Sequence, residues 1–136
     1  MMEPLEGGCA CGRIRFRITL APRSVAACHC RRCQFFAGGG PNYSVVVPRG
    51  GLEVTAGEPK QVELRADRGA RVDRFFCPDC GTHLFSDTAD RPYTPVRVGA
   101  LDDPSAWSPN FHMWTEAAPA WHPIDETRPQ FSKAPN

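Results

Sequence analysis

Short segments in which hydrophobic and polar residues alternate run along most of the chain and predict β-strands. The clearest segment covers residues 13–18, where Ile14, Phe16 and Ile18 alternate with three arginines. In an extended strand this places the apolar side chains on one face and the charged ones on the other. Similar segments, separated by turns rich in glycine and proline, cover residues 43–47, 52–56, 61–66, 72–77, 83–86 and 95–100. Short strands at regular intervals predict an all-β fold.

Helical signals are confined to one short segment. Residues 31–37 predict a short helical turn that ends at the glycine run 38–40. A glycine readily adopts the left-handed backbone conformation that is common just after a helix. The fold predicted from the pattern is therefore all-β with one short helical turn.

The last third of the chain is rich in proline and predicts one further strand at residues 110–114. It also contains all three tryptophans, Trp107, Trp114 and Trp121. Because a tryptophan side chain buries a large apolar surface, we expect these three residues to fold the tail back onto the sheets.

Composition and charge are those of one folded domain without a specialised surface. The chain has 136 residues, 41% of them hydrophobic, and a formal net charge of +1. A nucleic-acid partner is disfavoured because such binders carry a basic excess. The apolar runs are far too short to span a membrane, and the N-terminus shows no secretory signal pattern. We expect residues 1–136 to form a single soluble domain in the cytoplasm, of unknown oligomeric state.

The seven cysteines are an odd number, which disfavours a framework made only of disulfides. They fall into three clusters: Cys9 and Cys11; Cys28, Cys30 and Cys33; Cys77 and Cys80. A C-x-x-C turn followed by glycine is typical of a zinc knuckle, and two cysteine turns together supply the four thiolates of a closed structural site. The remaining three thiolates would leave one position on a zinc ion open for chemistry. The sequence therefore predicts two zinc ions per chain, one structural and one catalytic.

Several alternatives stay open at this point, because spacing does not determine which clusters meet. The middle cluster could pair with the knuckle, or a single four-cysteine site could leave three redox or buried thiols. His83, His112 or His122 could supply a fourth ligand to the middle cluster. His29 is expected to point away from the neighbouring sulfurs and to pack or donate a hydrogen bond near the site.

Three blocks of sequence around the cysteines carry a resemblance to a known family. They read GGCACGRIRF at residues 7–16, CHCRRCQ at 28–34 and FFCPDCGTHLF at 75–85. Residues 99–104, residues 111–113 and Trp121 follow in a matching order. Over residues 5–131 the chain resembles the glutathione-dependent formaldehyde-activating enzymes, or S-(hydroxymethyl)glutathione synthases, whose domain also occurs in centromere protein V.

This resemblance implies a β-tent of coiled antiparallel sheets and a division of the cysteines. It implies that the structural zinc is held by Cys9, Cys11, Cys77 and Cys80, and the catalytic zinc by Cys28, Cys30 and Cys33. The implied activity is of the carbon–sulfur lyase type. In it a small-molecule thiol such as glutathione adds to a small aldehyde such as formaldehyde and forms a hemithioacetal.

Residues near the middle cluster are candidates for substrate binding. Arg31 and Arg32 could hold a substrate carboxylate through paired hydrogen bonds. Gln34 could line the cleft with its amide group, and His112 is a candidate proton carrier.

The alternative function is a non-catalytic double-zinc module that binds a protein or a nucleic acid. A basic tail would favour that module, and the chain ends in Lys133-Ala134-Pro135-Asn136. We therefore favour the enzyme. A zinc enzyme of the same fold that acts on another sulfur compound is a third interpretation.

Overall fold

The computed structural model of the protein describes residues 4–135, in which strands dominate and confirm the all-β fold. The elements are β1 (Leu5–Gly8), β2 (Arg15–Ile18), β3 (Ser24–Cys28), α1 (Arg31–Phe36), β4 (Asn42–Pro48), β5 (Leu52–Ala56), β6 (Lys60–Arg65), β7 (Arg71–Phe76), β8 (His83–Thr88), β9 (Tyr93–Arg97) and β10 (Phe111–Met113), with short 3-10 turns at Val98–Ala100 and Thr115–Ala117. No helix within residues 4–135 is long and apolar enough to cross a membrane. Residues 1–3 and 136 of the predicted domain lie outside the described residues.

The strands form two sheets. The smaller sheet has the order β1-β2-β5, and the larger has the order β10-β3-β4-β9-β8-β7-β6. Neighbouring strands are antiparallel, with one exception within the described residues: β10 runs parallel to β3. Because β10 belongs to the tail, the tail returns across the molecule and forms one edge of the large sheet.

Two strands and one boundary differ from the pattern-based predictions. β3 has no alternating pattern because its central residues, Val25, Ala26 and Ala27, are all buried, so that neither face is polar. β1 contains two glycines and no apolar repeat. The strand predicted over residues 95–100 ends at Arg97, and Val98–Ala100 form a 3-10 turn instead.

The core lies between the two sheets. Strand β2 of the small sheet supplies Phe16 and Ile18, and the turn before β2 supplies Ile14. All three side chains are buried, as their alternation predicts. Val45 and Val96 from β4 and β9 are fully buried on the facing side. Burial of these side chains removes apolar surface from water and is the main stabilising term for the fold.

The tryptophans of the tail do not all cover the sheets. Trp107 is partly buried and packs against the core, as expected. Trp121 is 70% exposed, which contradicts the expectation for this residue. The next residue, His122, takes the buried position in this loop, and Trp121 contacts its ring edge-on from outside.

Candidate metal centres and active site

Four thiols meet where the two sheets come together. Cys9 and Cys11 follow β1, whereas Cys77 and Cys80 lie in the turn between β7 and β8, and all four Sγ atoms are within 4.8 Å of one another. The Sγ atoms of Cys9 and Cys11 are 3.5 Å apart, and those of Cys11 and Cys77 are 3.8 Å apart. Four thiolates about 2.3 Å from one zinc ion are separated by about 3.8 Å. This set therefore fits a tetrahedral metal, and the knuckle pairs with the first cluster rather than the middle one.

The glycine after each cysteine turn adopts the conformation that the turn requires. The φ angles of Gly12 and Gly81 are 81° and 79°, a left-handed region that other residues enter at a cost. The Gly81 N–H donates to the carbonyl oxygen of Cys77 at 2.8 Å and closes the knuckle.

Thr82 ties the two turns together and was not identified from the sequence. Its Oγ1 accepts a hydrogen bond from the Ala10 N–H at 3.0 Å and lies 3.2 Å from the Sγ of Cys80. The hydrogen bond from the Thr82 side chain, followed by that from its backbone, lowers the pKa of Cys80 to about 5. A thiol of lowered pKa is already deprotonated for metal binding at neutral pH.

Three further thiols meet at the start of α1. Cys28 ends β3, Cys30 is the N-cap of α1 and Cys33 lies in its first turn, with the three Sγ atoms within 4.8 Å of one another. The Cys33 N–H donates to Cys30 Sγ at 3.3 Å, so the cap itself orients one thiol. Within residues 4–135 no histidine, carboxylate or further cysteine joins this group. Three soft ligands with a fourth position free are the donor set of a catalytic zinc site.

Charge within this three-thiol cluster concentrates on Cys33. Hydrogen bonds from the thiols of Cys28 and Cys30, together with the nearby Arg74 guanidinium, hold the pKa of Cys33 well below its usual range. The same hydrogen bonds to Cys30 and Cys33 raise the pKa of Cys28. The pKa is thus lowered at Cys33 and raised at Cys28 and Cys30, so negative charge in the cluster is most favourable on Cys33.

Two residues from distant strands contact this thiolate. Arg74 on β7 places its Nη2 3.5 Å from Cys33 Sγ, and its guanidinium lies 4.7 Å from the ring centroid of Phe36. Asn42 on β4 directs its Nδ2 toward the same sulfur at 3.9 Å, and the register of β3 and β4 places it opposite Cys28. Asn42 is nine residues and Arg74 is 41 residues from Cys33, and neither belongs to a cysteine motif, so sequence reasoning missed both.

A cleft of about 350 Å³ opens beside the cluster, and Phe36, Asn42, His83 and Arg97 are among the residues that line it. Arg97 donates from Nη2 to the carbonyl oxygen of Phe36 at 3.0 Å. Burial, reinforced by repulsion from Arg74, lowers the pKa of Arg97 to about 10. Burial, with Arg97 and Arg74 nearby, lowers the pKa of His83 to about 4, so His83 is neutral at physiological pH and Arg97 supplies a positive charge to the cleft.

The residues predicted to bind substrate make contacts within the protein. Arg31 is exposed, lies over the Phe35 ring and donates to Gln34 Oε1 at 3.2 Å. Arg32 is exposed and donates to the carbonyl oxygen of Arg65. Gln34 is buried and donates from Nε2 to the carbonyl oxygens of His29 and Ala117, so it joins α1 to the tail. A substrate role for these three side chains stays a prediction.

The three remaining histidines form one buried chain of hydrogen bonds. His29 lies between the other two: its Nδ1 is 2.9 Å from His122 Nδ1 and its Nε2 is 2.9 Å from His112 Nδ1. All three residues are buried. His29 is therefore a hydrogen-bonding residue outside the metal cluster, as expected. Of the histidines considered as a fourth ligand, His112 and His122 belong to this chain of hydrogen bonds, and His83 packs against the ring of Phe36 at a tilted angle.

The hydrogen bonds at the two ends of this histidine chain determine which ring nitrogen of each histidine carries the proton. The Asp125 N–H donates to His112 Nε2 at 3.2 Å, so the proton of His112 is on Nδ1 and points at His29. His29 Nε2 therefore accepts from His112, and the proton of His29 lies on Nδ1, which donates to His122 Nδ1. The proton of His122 then lies on Nε2, which donates to the Gly39 carbonyl oxygen at 2.7 Å. This chain of hydrogen bonds joins the tail to the loop after α1, with each histidine in one neutral tautomer. It occupies both ring nitrogens of His112, whose role as a proton carrier stays a prediction.

Comparison with known proteins gives one family and several relatives. The family model described as "GFA: Glutathione-dependent formaldehyde-activating enzyme" matches residues 4–117. Relatives from Aspergillus flavus and Aspergillus oryzae are each 33% identical over 113 residues, covering 77% of this chain and 58% of theirs. One from Penicillium rubens is 31% identical over 133 residues, covering 90% and 69%. All three carry the name "Putative glutathione-dependent formaldehyde-activating enzyme".

Two further facts limit what these similarities show about the protein. The chain spans 58% of the length of the Aspergillus relatives that it matches. The crystal structure of a Rhodobacter sphaeroides protein superposes with a TM-score of 0.57 at 18% sequence identity, covering 72% of this chain and 88% of that one. At this identity the likeness to the solved structure concerns the fold alone.

Proposed function

The chain belongs to the glutathione-dependent formaldehyde-activating enzyme family, and we propose that it adds a thiol to a small aldehyde to form a hemithioacetal. Glutathione and formaldehyde, which the family description and the relatives' names give, are the substrates that we assign to it. The observation that carries this proposal is a cluster of three thiols, which no fourth protein ligand joins within residues 4–135, close to a cleft that Phe36 and Asn42 line. Such a site suits activation of a further thiol rather than structural support.

Both cysteine clusters have the donor chemistry for zinc, and the proposal includes one ion at each. Cys9, Cys11, Cys77 and Cys80 would hold the structural ion, and Cys28, Cys30 and Cys33 the catalytic one. A zinc ion bound to three thiolates supplies a positive centre that favours the deprotonated form of a substrate thiol at neutral pH.

The reaction needs no oxidant or reductant. The thiol sulfur attacks the carbonyl carbon, a carbon–sulfur bond forms and the carbonyl π bond opens. The proton lost from the thiol ends on the new hydroxyl oxygen. The reverse reaction breaks the same carbon–sulfur bond, which is why we assign a carbon–sulfur lyase-type activity.

The residues around the cluster support this chemistry. Arg74 lies next to Cys33 and stabilises negative charge on sulfur. Phe36 and the neutral His83 pack together at the cleft with ring centroids 4.6 Å apart and give it an uncharged aromatic surface on that side. Holding the two reactants together in such a cleft accelerates a bimolecular addition by proximity.

We also propose that the protein works in the cytoplasm. A reducing compartment keeps cysteine thiols available for metal binding. The partners in this proposal are small molecules, a thiol and an aldehyde.

The test measures hemithioacetal formation from formaldehyde with glutathione, cysteine and 2-mercaptoethanol. Because the addition also occurs without catalyst, exchange between free and bound formaldehyde is followed by NMR. Zinc-loaded wild-type protein should accelerate exchange with at least one thiol, and Cys33→Ser should lower that acceleration about a hundredfold or more. Arg71→Gln, an exposed change on the strand that carries Arg74, serves as the control and should behave as wild type. No acceleration with any thiol would contradict the enzyme and favour the double-zinc binding module.

A further inference from the structure

A buried arginine, Arg74, and a partly buried one, Arg97, lie near the three-thiol cluster and have no acidic partner among the described residues. Arg74 is only 9% exposed, and neither Arg74 nor Arg97 forms an ion pair with a carboxylate of the described residues. The Nε of Arg74 and the Nη1 of Arg97 are buried and have no hydrogen-bond partner. A buried charge is costly unless it is paired, so both guanidinium groups need an anion.

Packing alone accounts for only part of this arrangement. The Arg74 guanidinium stacks over Phe36, and Arg97 donates to the Phe36 carbonyl oxygen. These contacts place the two side chains around the same residue of α1, but they leave one N–H of each arginine unused. The neighbouring negative charge is the thiolate group, and Arg74 contacts it directly at Cys33 Sγ.

The charges of the assembled site indicate what the arginines are for. Three thiolates and one divalent zinc carry one net negative charge, and two guanidinium groups leave the whole site with one net positive charge. One further thiolate brings the site to neutrality, whereas a neutral ligand leaves a positive charge buried. Within the described residues, the other titratable side chains that line the cleft are His83 and Tyr43. Both are neutral at physiological pH, because the pKa of His83 is about 4 and burial raises the pKa of Tyr43.

We propose that Arg74 and Arg97 are specificity-determining residues that make the three-thiol site prefer an anionic ligand, so that the substrate thiol binds as a thiolate. This inference rests on the proposed function for its substrate class. It adds the two residues that select the charge state of the substrate. Arg97 also lines the cleft, together with Phe36, which contacts Arg74, and Asn42, which contacts Cys33.

The experiment compares three small ligands on the zinc-loaded protein by calorimetry. Thiocyanate is an anion, imidazole is a neutral metal ligand, and 2-mercaptoethanol is a thiol that must lose its proton to bind as an anion. Arg74→Gln and Arg97→Gln remove the charges, Arg74→Lys and Arg97→Lys keep them, and Arg71→Gln is the control from the exposed surface. The zinc content of every variant is measured first.

The glutamine variants should bind thiocyanate and 2-mercaptoethanol about tenfold or more weakly than wild type, with imidazole changed less than about threefold. The lysine variants should retain thiocyanate binding within about threefold, and Arg71→Gln should match wild type. Imidazole reports whether the site is intact, and the lysine variants keep the test decisive if a glutamine variant does not fold.

Three outcomes would overturn the inference. The first is unchanged thiocyanate binding in the glutamine variants, and the second is an equal loss for thiocyanate and imidazole. The third is an equal loss in the lysine and glutamine variants. If thiols still bind the wild type, these three outcomes remove this inference and leave the proposed function standing. If thiocyanate binding depends on the arginines but no thiol binds, the preference for an anion stands, and the proposed function fails together with the thiol substrate that it assigns.

Discussion

Arg74, His83 and Arg97 lie around the three-thiol cluster, although each belongs to a different strand of the large sheet. Spacing in the sequence predicts the cysteines because neighbouring thiols on a tight turn face one ion. It does not predict the arginines, since Arg74 is 41 residues from Cys33 and reaches it only through strand pairing. Gln34 shows the same limit, because one of its hydrogen bonds goes to Ala117 in the tail.

His83 should make the free energy of unfolding depend on pH. Its pKa in the folded protein is about 4, because of burial and then of Arg97 and Arg74, whereas an exposed histidine has a pKa of about 6.5. The unfolded chain therefore binds more protons between these two values, and the free energy of unfolding decreases as pH falls from about 6.5 to about 4. We expect His83 to contribute about 2 kcal/mol of this decrease between pH 7 and pH 5.

Urea unfolding of wild type and His83→Gln at both pH values measures this contribution. The stability of His83→Gln should change less with pH than that of wild type, by about 2 kcal/mol. Equal changes in the two proteins would show that His83 is not held neutral by its surroundings.

At the scale of elements, the alternating strands could be predicted and the irregular ones could not. The prediction of β2 is correct because one face of this strand is buried and the other is charged. β3 is buried on both faces and β10 pairs in parallel with it, so neither the burial nor the partner shows in a local pattern. The end of α1 was predictable: the Gly39 N–H bonds to the Gln34 carbonyl oxygen at 2.7 Å and closes the helix within the glycine run.

β1 provides a prediction about close packing between elements. A Cβ added at Gly7 would lie 2.6 Å from Cζ of Phe16 and closer still to the carbonyl oxygen of Ala100. Gly7→Ala should therefore lower the free energy of unfolding by about 2–3 kcal/mol. Gly99 has no atom within 4 Å of such a Cβ and is the matched control, with an expected change within about 0.5 kcal/mol. Denaturant unfolding of both variants checks this, and equal effects would contradict the close approach of β1 to Ala100.

At the scale of the whole molecule, the two cysteine clusters lie in different structural settings. The four-thiol cluster joins the end of β1 in the small sheet to the turn between β7 and β8 in the large sheet, so a metal there cross-links the two sheets. The three-thiol cluster lies at the junction of β3 and α1, next to the cleft. Residue counting predicted four and three ligands, and the resemblance to a family implied which clusters combine. The arginine pair and the histidine chain depend on the complete fold.

The most direct test of a closed site and an open site is cadmium-113 NMR of the protein loaded with cadmium in place of zinc. We expect two signals from the wild type, of which only one shifts when 2-mercaptoethanol is added, because only the three-thiol cluster has a free position. Cys30→Ser, which keeps a side-chain acceptor at the start of α1, should remove or weaken that signal and leave the other unchanged. Two signals that both respond to the thiol, or a Cys30→Ser spectrum identical to wild type, would contradict the account.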